Sequence, residues 1–289
     1  MEINKVPGTL YPGTLYIVAT PLGNLEDMTF RAVRILKEVD LIAAEDTRYS
    51  KRLLNHYGIE TGMISCHEHN EAKKSRQLIE ALKAGKNIAL ISDAGTPLIS
   101  DPGYSLVKAA ADQKLSILPI PGCNAAIAGL SVAGLPTDSF LFCGFLPKKQ
   151  QKRSFTLEGL KQEKATLIFY ESPKRICAML QQAIPILGDR RACLAREITK
   201  LHEEYLRGTL GEILSTLQLR PQVKGECVLF VQGAPPPAQM TQDQLEELIL
   251  SKPNENRGTA DLARQIARDC RLPKKQVYDT ILRLRNTSC

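Results

Sequence analysis

The residues able to do chemistry fall into five short clusters, each following an apolar run: TPLGNLED at 20–27, EDTR at 45–48, HEHN at 67–70, SDAGTPLISDPG at 92–103 and PGCNA at 121–125. Carboxylates, imidazoles and hydroxyls in such loops suit proton transfer and ligand binding, while Gly95 and Gly122 let a ligand approach the backbone closely. PGCNAA also places backbone amides at a helix start, where a carboxylate or an adenine edge could dock. Taken singly, each cluster has a plainer reading. Asn24 and Asp27 suit helix capping, and Asp101-Pro102-Gly103 suits an ordinary turn. Five together at one sheet edge favour a binding site. Neither GxGxxG nor GxxxxGK[ST] occurs in these loops, which counts against NAD and ATP. The eight cysteines form no CxxC pair and read as buried free thiols. Only His67 and His69 lie near a cysteine, Cys66, so no metal site is expected.

The elements that must position these clusters are legible as alternating patterns. From Tyr16 to Ile120, YIVAT, LIAAE, MISC, IALIS and SILPI alternate with helical stretches such as TFRAVRILKEV and EAKKSRQLIEALKAG. Such alternation predicts a five-stranded parallel sheet with covering helices, and ligands bind at the carboxyl ends of such strands. A second α/β region follows: FLFCGF, TLIFYE, ACLARE, EEYLRG and ECVLFVQ, with helices near 150–162, 173–187 and 211–218. ACLARE and EEYLRG are too close for a helix between them, so this sheet is mixed. The expected division is 13–121, 122–235 and a helical tail at 241–289, after an APPPA linker at 234–238. In the tail, Thr241 and Gln244 form a capping signature. Helices from Thr259 and over KKQVYDTILRLR then resemble a helix-turn-helix, a pair that either binds nucleic acid or only packs.

The chain is 43% hydrophobic and 24% charged, which excludes low-complexity disorder and a collagen repeat. The longest uncharged stretch, Leu115 to Thr137, is broken by six Pro and Gly residues and is not a membrane span. The first residues lack the pattern of a secretory signal, and a cytoplasmic protein is expected. The net charge of +7 is unevenly spread. Ser251 to Cys289 holds nine Lys/Arg against four Asp/Glu, Leu146 to Lys164 holds six against two, and the remainder is slightly acidic. Two basic patches on a near-neutral body fit a polyanion such as nucleic acid, or else are solvated faces.

LYIVATPLGNLEDMTFRA, AAEDTRYSKRLL, ISDAGTPLISDPG, PGCNAAIAGLSVAGLPTDSFLFCGFLP, FYESPKR, AREITKLHEEYLRGTL and KGECVLFVQG, in this order over about residues 13 to 233, carry a resemblance. The chain resembles the small-subunit ribosomal RNA 2′-O-ribose methyltransferases of the tetrapyrrole methylase superfamily. The resemblance implies S-adenosylmethionine in a cleft between two α/β domains, a homodimer, and a decoding-centre cytidine of 16S rRNA as methyl acceptor. It assigns Gly23, Asp93, Gly95, Thr96, Gly122, Cys123, Asn124, Ala125 and Tyr170 to the cofactor. Tetrapyrrole methylases proper carry GDP where this chain reads Gly95-Thr96-Pro97, so the aspartate contact used there either comes from Asp93 or is absent. For such a reaction the sheet edge offers Glu45, Asp46, His67, Glu68 and His69 as proton acceptors, with Glu171, Glu197 and Lys200 opposite. Asp46, Arg48, Glu171, Arg196 and Lys200 are expected on the substrate side. Lys148, Lys149, Lys152, Arg153, Lys174, Arg175, Arg264, Arg268, Lys274 and Lys275 are expected to hold RNA phosphates. The competing readings are a methyltransferase for a tetrapyrrole-type small molecule and a non-catalytic RNA-binding assembly protein.

Overall fold

The computed structural model describes residues 11–67, 70–235, 242–251, 258–270 and 272–287. Glu68, His69, Thr241 and the linker residues 236–238 lie outside the described residues. The chain divides into two compact units, Met1–Ala234 and Pro235–Cys289.

The larger unit begins with a parallel sheet. Its strands are β1 (Thr14–Val18), β2 (Leu41–Ala44), β3 (Met63–Ser65), β4 (Ile88–Ile91) and β5 (Ser116–Ile120), in the order β3-β2-β4-β1-β5. All four residues of β4 are buried, as expected of a central parallel strand covered on both faces. Pro119 is tolerated in β5 because that strand is an edge. The connecting helices are α1 (Phe30–Glu38), α2 (Thr47–His56), α3 (Glu71–Lys83) and α4 (Tyr104–Asp112). Helix α1 starts at Thr29, whose Oγ1 accepts the Ala32 amide at 3.1 Å, and buries Ala32, Ile35 and Leu36. One hydrophobic cluster joins α1 and α2 to the sheet through Leu36 and Leu54, and another joins α3 and α4 through Leu78, Leu82 and Leu106. β1 and β4 are neighbours, yet the helix after β1 leads to β2 and the helix after β4 leads to β5. Their carboxyl ends therefore open a crevice at this reversal of strand order.

Helix α5 (Ala125–Ala133) leads into the second sheet, formed by β6 (Phe140–Phe145), β7 (Thr166–Glu171), β8 (Arg191–Arg196), β9 (Glu204–Thr209) and β10 (Cys227–Val231). The order is β6-β7-β10-β8-β9, with β6 and β7 parallel and the other pairs antiparallel. The direct step from β8 to β9 makes this sheet mixed, as the short spacing required. Helix α5 covers one face, packing Ala126 and Leu130 against Ile168, Cys193 and Phe230. Helices α6 (Gln150–Gly159), α7 (Ile176–Leu187) and α8 (Leu210–Gln218) follow, and Leu157, Met179, Leu180 and Ile213 from them join a separate core with Leu167, Phe169 and Leu229. Helix α8 opens on a reciprocal capping box between Thr209 and Glu212.

The C-terminal unit contains α9 (Gln242–Ser251), α10 (Thr259–Cys270) and α11 (Lys274–Thr287) around Leu245, Ile249, Ala263, Ile266, Val277 and Ile281. The heptad-like spacing of these residues along each helix gives one apolar face per helix, which is all a three-helix unit needs.

Candidate active site

The crevice is a cleft of about 370 Å³ at the carboxyl edge of the first sheet, closed on its other side by β7, β10 and the loop after β8. Its first wall is made by three loops tied together. Thr20 and Gly95 exchange backbone hydrogen bonds, Thr20 N donating to Gly95 O at 2.8 Å and Gly95 N to Thr20 O at 2.9 Å. Gly95 takes φ of +82°, a left-handed conformation that glycine adopts without strain. Thr96 Oγ1 donates to the Cys123 carbonyl at 2.9 Å, linking the loop after β4 to the loop after β5. Asn124 then caps α5, its Oδ1 accepting the amides of Ala126 at 3.1 Å and Ile127 at 3.2 Å. The sequence placed several free amides at this helix start. Asn124 takes two of them, leaving Ala125 N, in the cleft lining, without a hydrogen-bond partner among the described residues.

The lining is acidic. Glu45, Asp93, Asp101, Glu171 and Glu226 border the cleft, and among the described residues no lysine or arginine does. Asp93 N lies 3.5 Å from Glu45 Oε2, and Asp46 N donates to Asp93 Oδ1 at 3.2 Å. Burial raises the Glu45 carboxyl, with Asp93 and Asp46 adding repulsion, and burial likewise raises Asp93. Asp101 is pushed up to about 6 by burial and by the charge of Glu45, against the hydrogen bond of Ser92.

Glu171, at the end of β7, has a side chain with no solvent exposure. Ser172 N donates to its Oε1 at 2.8 Å. Its Oε2 sits 3.0 Å from Arg175 Nη2, yet that nitrogen donates to the Leu146 carbonyl at 2.8 Å and the carboxylate oxygen has no aligned donor among the described residues. The charge is neutralised while one acceptor stays unfilled at the cleft wall. Burial raises this carboxyl as well. Beside it, the Tyr170 ring stands edge-on to Phe142 at 4.9 Å and to Phe145 at 5.7 Å.

Four non-glycine residues with positive φ flank the cleft: Leu98 (72°), Ser100 (73°), Glu197 (52°) and Thr199 (66°). Backbone strain of this kind persists where surrounding contacts over-determine it. Those contacts are present. Glu197 Oε1 accepts the Glu226 amide at 2.9 Å, and Thr199 Oγ1 accepts the Asn24 amide at 3.2 Å, joining the β8 loop to the β1 loop.

The expected residues divide accordingly. Asp93, Gly95, Thr96, Asn124, Ala125, Tyr170 and Glu171 border the cleft. Gly122 and Cys123 sit behind that lining, a Cβ on Gly122 meeting the Ala19 Cβ at 2.9 Å. Gly23 also stands outside it, where a Cβ would lie 2.2 Å from Lys200 Cγ, so its lack of a side chain lets the Lys200 stem cross. Lys200 Nζ ends between Glu197 Oε1 at 3.0 Å and Glu226 Oε2 at 3.1 Å. Asp46 caps α2 and pairs with the exposed Arg48 at 3.0 Å, which holds its carboxyl down to about 2. Arg196 pairs with Glu204 at 2.9 Å, and His67 forms a turn with Asn70; neither borders the cleft. Lys148, Lys149, Lys152 and Lys174 are exposed, as are Arg264, Arg268, Lys274 and Lys275. Arg153 is 7% exposed and donates to Gln182 of α7 at 2.5 Å, turned towards that helix rather than onto the basic surface. Arg175 is committed to Glu171 and Leu146. Asp101 and Glu226 were missed as cleft residues. The long DAGTPLISDPG loop was the signal available for Asp101, which its DPG sequence disguised as a plain turn.

Residues 14–214 match the family model described as Tetrapyrrole (Corrin/Porphyrin) Methylases. A protein of Halalkalibacterium halodurans named ribosomal RNA small subunit methyltransferase I is 47% identical over 272 residues, 92% of this chain and 94% of that protein. The protein of that name from Bacillus subtilis is 43% identical, covering 92% of this chain and 93% of its own length. Among solved structures, diphthine synthase superposes with a TM-score of 0.59 at 15% identity, covering 76% of this chain and 90% of its own. Uroporphyrin-III C-methyltransferase from Thermus thermophilus, complexed with S-adenosyl homocysteine, superposes with a TM-score of 0.53 at 17% identity, over 76% and 97% of the two chains.

Proposed function

The chain belongs to the tetrapyrrole (corrin/porphyrin) methylase family, within its ribosomal RNA small subunit methyltransferase I branch, and from that premise we propose that it methylates a ribose 2′-hydroxyl of small-subunit rRNA, at a decoding-centre cytidine. The observation that carries this reading is a cleft with an acidic lining in a chain whose net charge is +7. Such a cleft suits the cation S-adenosylmethionine and turns phosphates away, leaving them to basic residues outside it. The residues fit the cofactor: the Ala125 amide and the unfilled Glu171 Oε2 offer a donor and an acceptor, and Leu22, Ile198 and Val228 give apolar surface. Asp93, Gly95, Thr96, Asn124, Ala125 and Tyr170 would hold it.

When bound, the cofactor supplies the electrophilic methyl group. The protein's part is to align the hydroxyl and exclude water, and near-attack positioning of this kind contributes about 7–11 kcal/mol at best. Asp101 is the cleft group suited to take the hydroxyl proton, since its carboxyl is held up to about 6, close to working pH. Lys200, threaded past Gly23, fixes the two loops on which Glu226 and Asn24 stand. Lys148, Lys149, Lys152 and Lys174, with Arg264, Arg268, Lys274 and Lys275 of the C-terminal unit, would dock the rRNA. The exposed apolar residues Leu118, Phe140 and Leu141 on the edge strands, and Ile127 and Val132 on α5, support a homodimer. An rRNA substrate supports a cytoplasmic protein.

The test supplies methyl-labelled S-adenosylmethionine with unmethylated small ribosomal subunits and, separately, with a uroporphyrinogen. Label in the rRNA alone is expected. Label in the tetrapyrrole alone would replace this reading with the small-molecule one.

A further inference from the structure

We propose that α6 and the turn before it form a guide strip for single-stranded RNA, on which an unpaired nucleobase near the methylated nucleotide stacks against Phe155. The strip rests on the rRNA substrate proposed above. Phe155 is 82% exposed on the outer face of α6 and has no ring partner among the described residues, an unfavourable place for a large apolar ring. Lys152 lies three residues before it and so stands beside it on the helix surface. Lys148 and Lys149 precede α6, and all three lysines are exposed. No ion pair among the described residues engages any of them. Cationic side chains around an exposed ring are what a single strand of RNA uses, its phosphates on the lysines and a base on the ring.

The position of the strip ties it to the reaction. β6 ends at Phe145, which borders the cleft. The four residues from there to Lys149 span at most about 14 Å, and Phe155 follows about 9 Å further along α6. The strip is rigid, because its inner side is fixed at three points. Arg175 Nη2 donates to the Leu146 carbonyl at 2.8 Å, Arg153 Nε donates to Gln182 at 2.5 Å, and Leu157 is fully buried. A ring held on a fixed helix loses little freedom when a base stacks on it. A second copy of this chain is disfavoured as the occupant, since two such lysine faces would repel.

The test compares the wild type with Phe155→Ala and Phe155→Tyr, titrated into a fluorescein-labelled dodecamer of uridine and into a fully abasic dodecamer. Phe155→Ala is expected to raise Kd for the uridine oligomer between about 5-fold and 150-fold, as loss of one stacked base implies. Phe155→Tyr should stay within about twofold, the abasic oligomer should not distinguish the three proteins, and the salt slope should not change. An unchanged Kd in Phe155→Ala overturns the proposal. So does an equal loss on the abasic oligomer, or a change of oligomeric mass by light scattering, which would assign Phe155 to a contact between protein chains. If the wild type neither binds RNA nor methylates it, the rRNA reading itself fails, a result separable from failure of the Phe155 contact alone.

Discussion

Replacing Asp101 by Asn should make the protein more stable and less active, and the size of both effects follows from the cleft. The carboxyl is raised from 3.8 to about 6, chiefly by burial and then by Glu45. A shift of about two units is worth about 3 kcal/mol as a ceiling, and solvent screening in an open cleft reduces this to about 1–2 kcal/mol. The sign follows from proton counts: between pH 3.8 and about 6 the folded chain binds more protons than the unfolded one at this group, so stability falls as pH rises through that window. Above it the full penalty persists. Asp101→Asn removes the charge, and at pH 7.5 its Tm should exceed that of the wild type by about 2–6 °C. The advantage should shrink as the pH is lowered from 6 towards 4, read by scanning calorimetry. The same variant should lose about 10²- to 10⁴-fold in kcat on rRNA, because the proton acceptor is gone. A variant less stable than wild type at pH 7.5, or one with undiminished kcat, would refute the reasoning.

Gly129→Ala would put a Cβ 2.5 Å from Cζ of the fully buried Phe230 ring. The overpacking should cost about 1–3 kcal/mol, and an unchanged denaturation midpoint would contradict the packing described. Glu204 is held down to about 2, first by its hydrogen bond with Arg220 at 2.6 Å and then, against burial, by Arg196. Its stabilisation is present above pH 4.5 and is lost as pH falls towards 2, so Glu204→Gln should cost about 1–2 kcal/mol at pH 7 and converge with wild type near pH 2–3. Alanine at Lys148, Lys149 and Lys152 together should lower the slope of log K for RNA against log salt by up to about 2–3, while leaving the affinity for S-adenosylmethionine unchanged by titration calorimetry.

The strands and the cleft loops were legible in the sequence for one physical reason. A parallel strand is buried on both faces and reads as an unbroken apolar run, such as IALI, so the polar cluster that follows it marks its carboxyl end. What remained hidden depends on residues distant in sequence. Nothing near Gly23 announces that Lys200 will occupy its missing side chain's space, nor that Asn24 will bond Thr199. The charge of its segment marks Arg153 as a surface residue. Its spacing of four from the buried Leu157 was the available signal that it lies on the inner face of α6. Asp101 and Glu45 look like a turn residue and a strand-end carboxylate until the fold sets their loops side by side.

The most direct measurement incubates the protein with S-adenosylmethionine and unmethylated small subunits, then hydrolyses the rRNA in alkali and maps surviving phosphodiesters. A ribose 2′-O-methyl group removes the nucleophile that alkali needs. One new resistant bond, 3′ to a single decoding-centre cytidine and absent without the cofactor, is the expected result. A fully alkali-sensitive RNA that nevertheless carries the transferred methyl group would show base methylation and contradict ribose chemistry at this cleft.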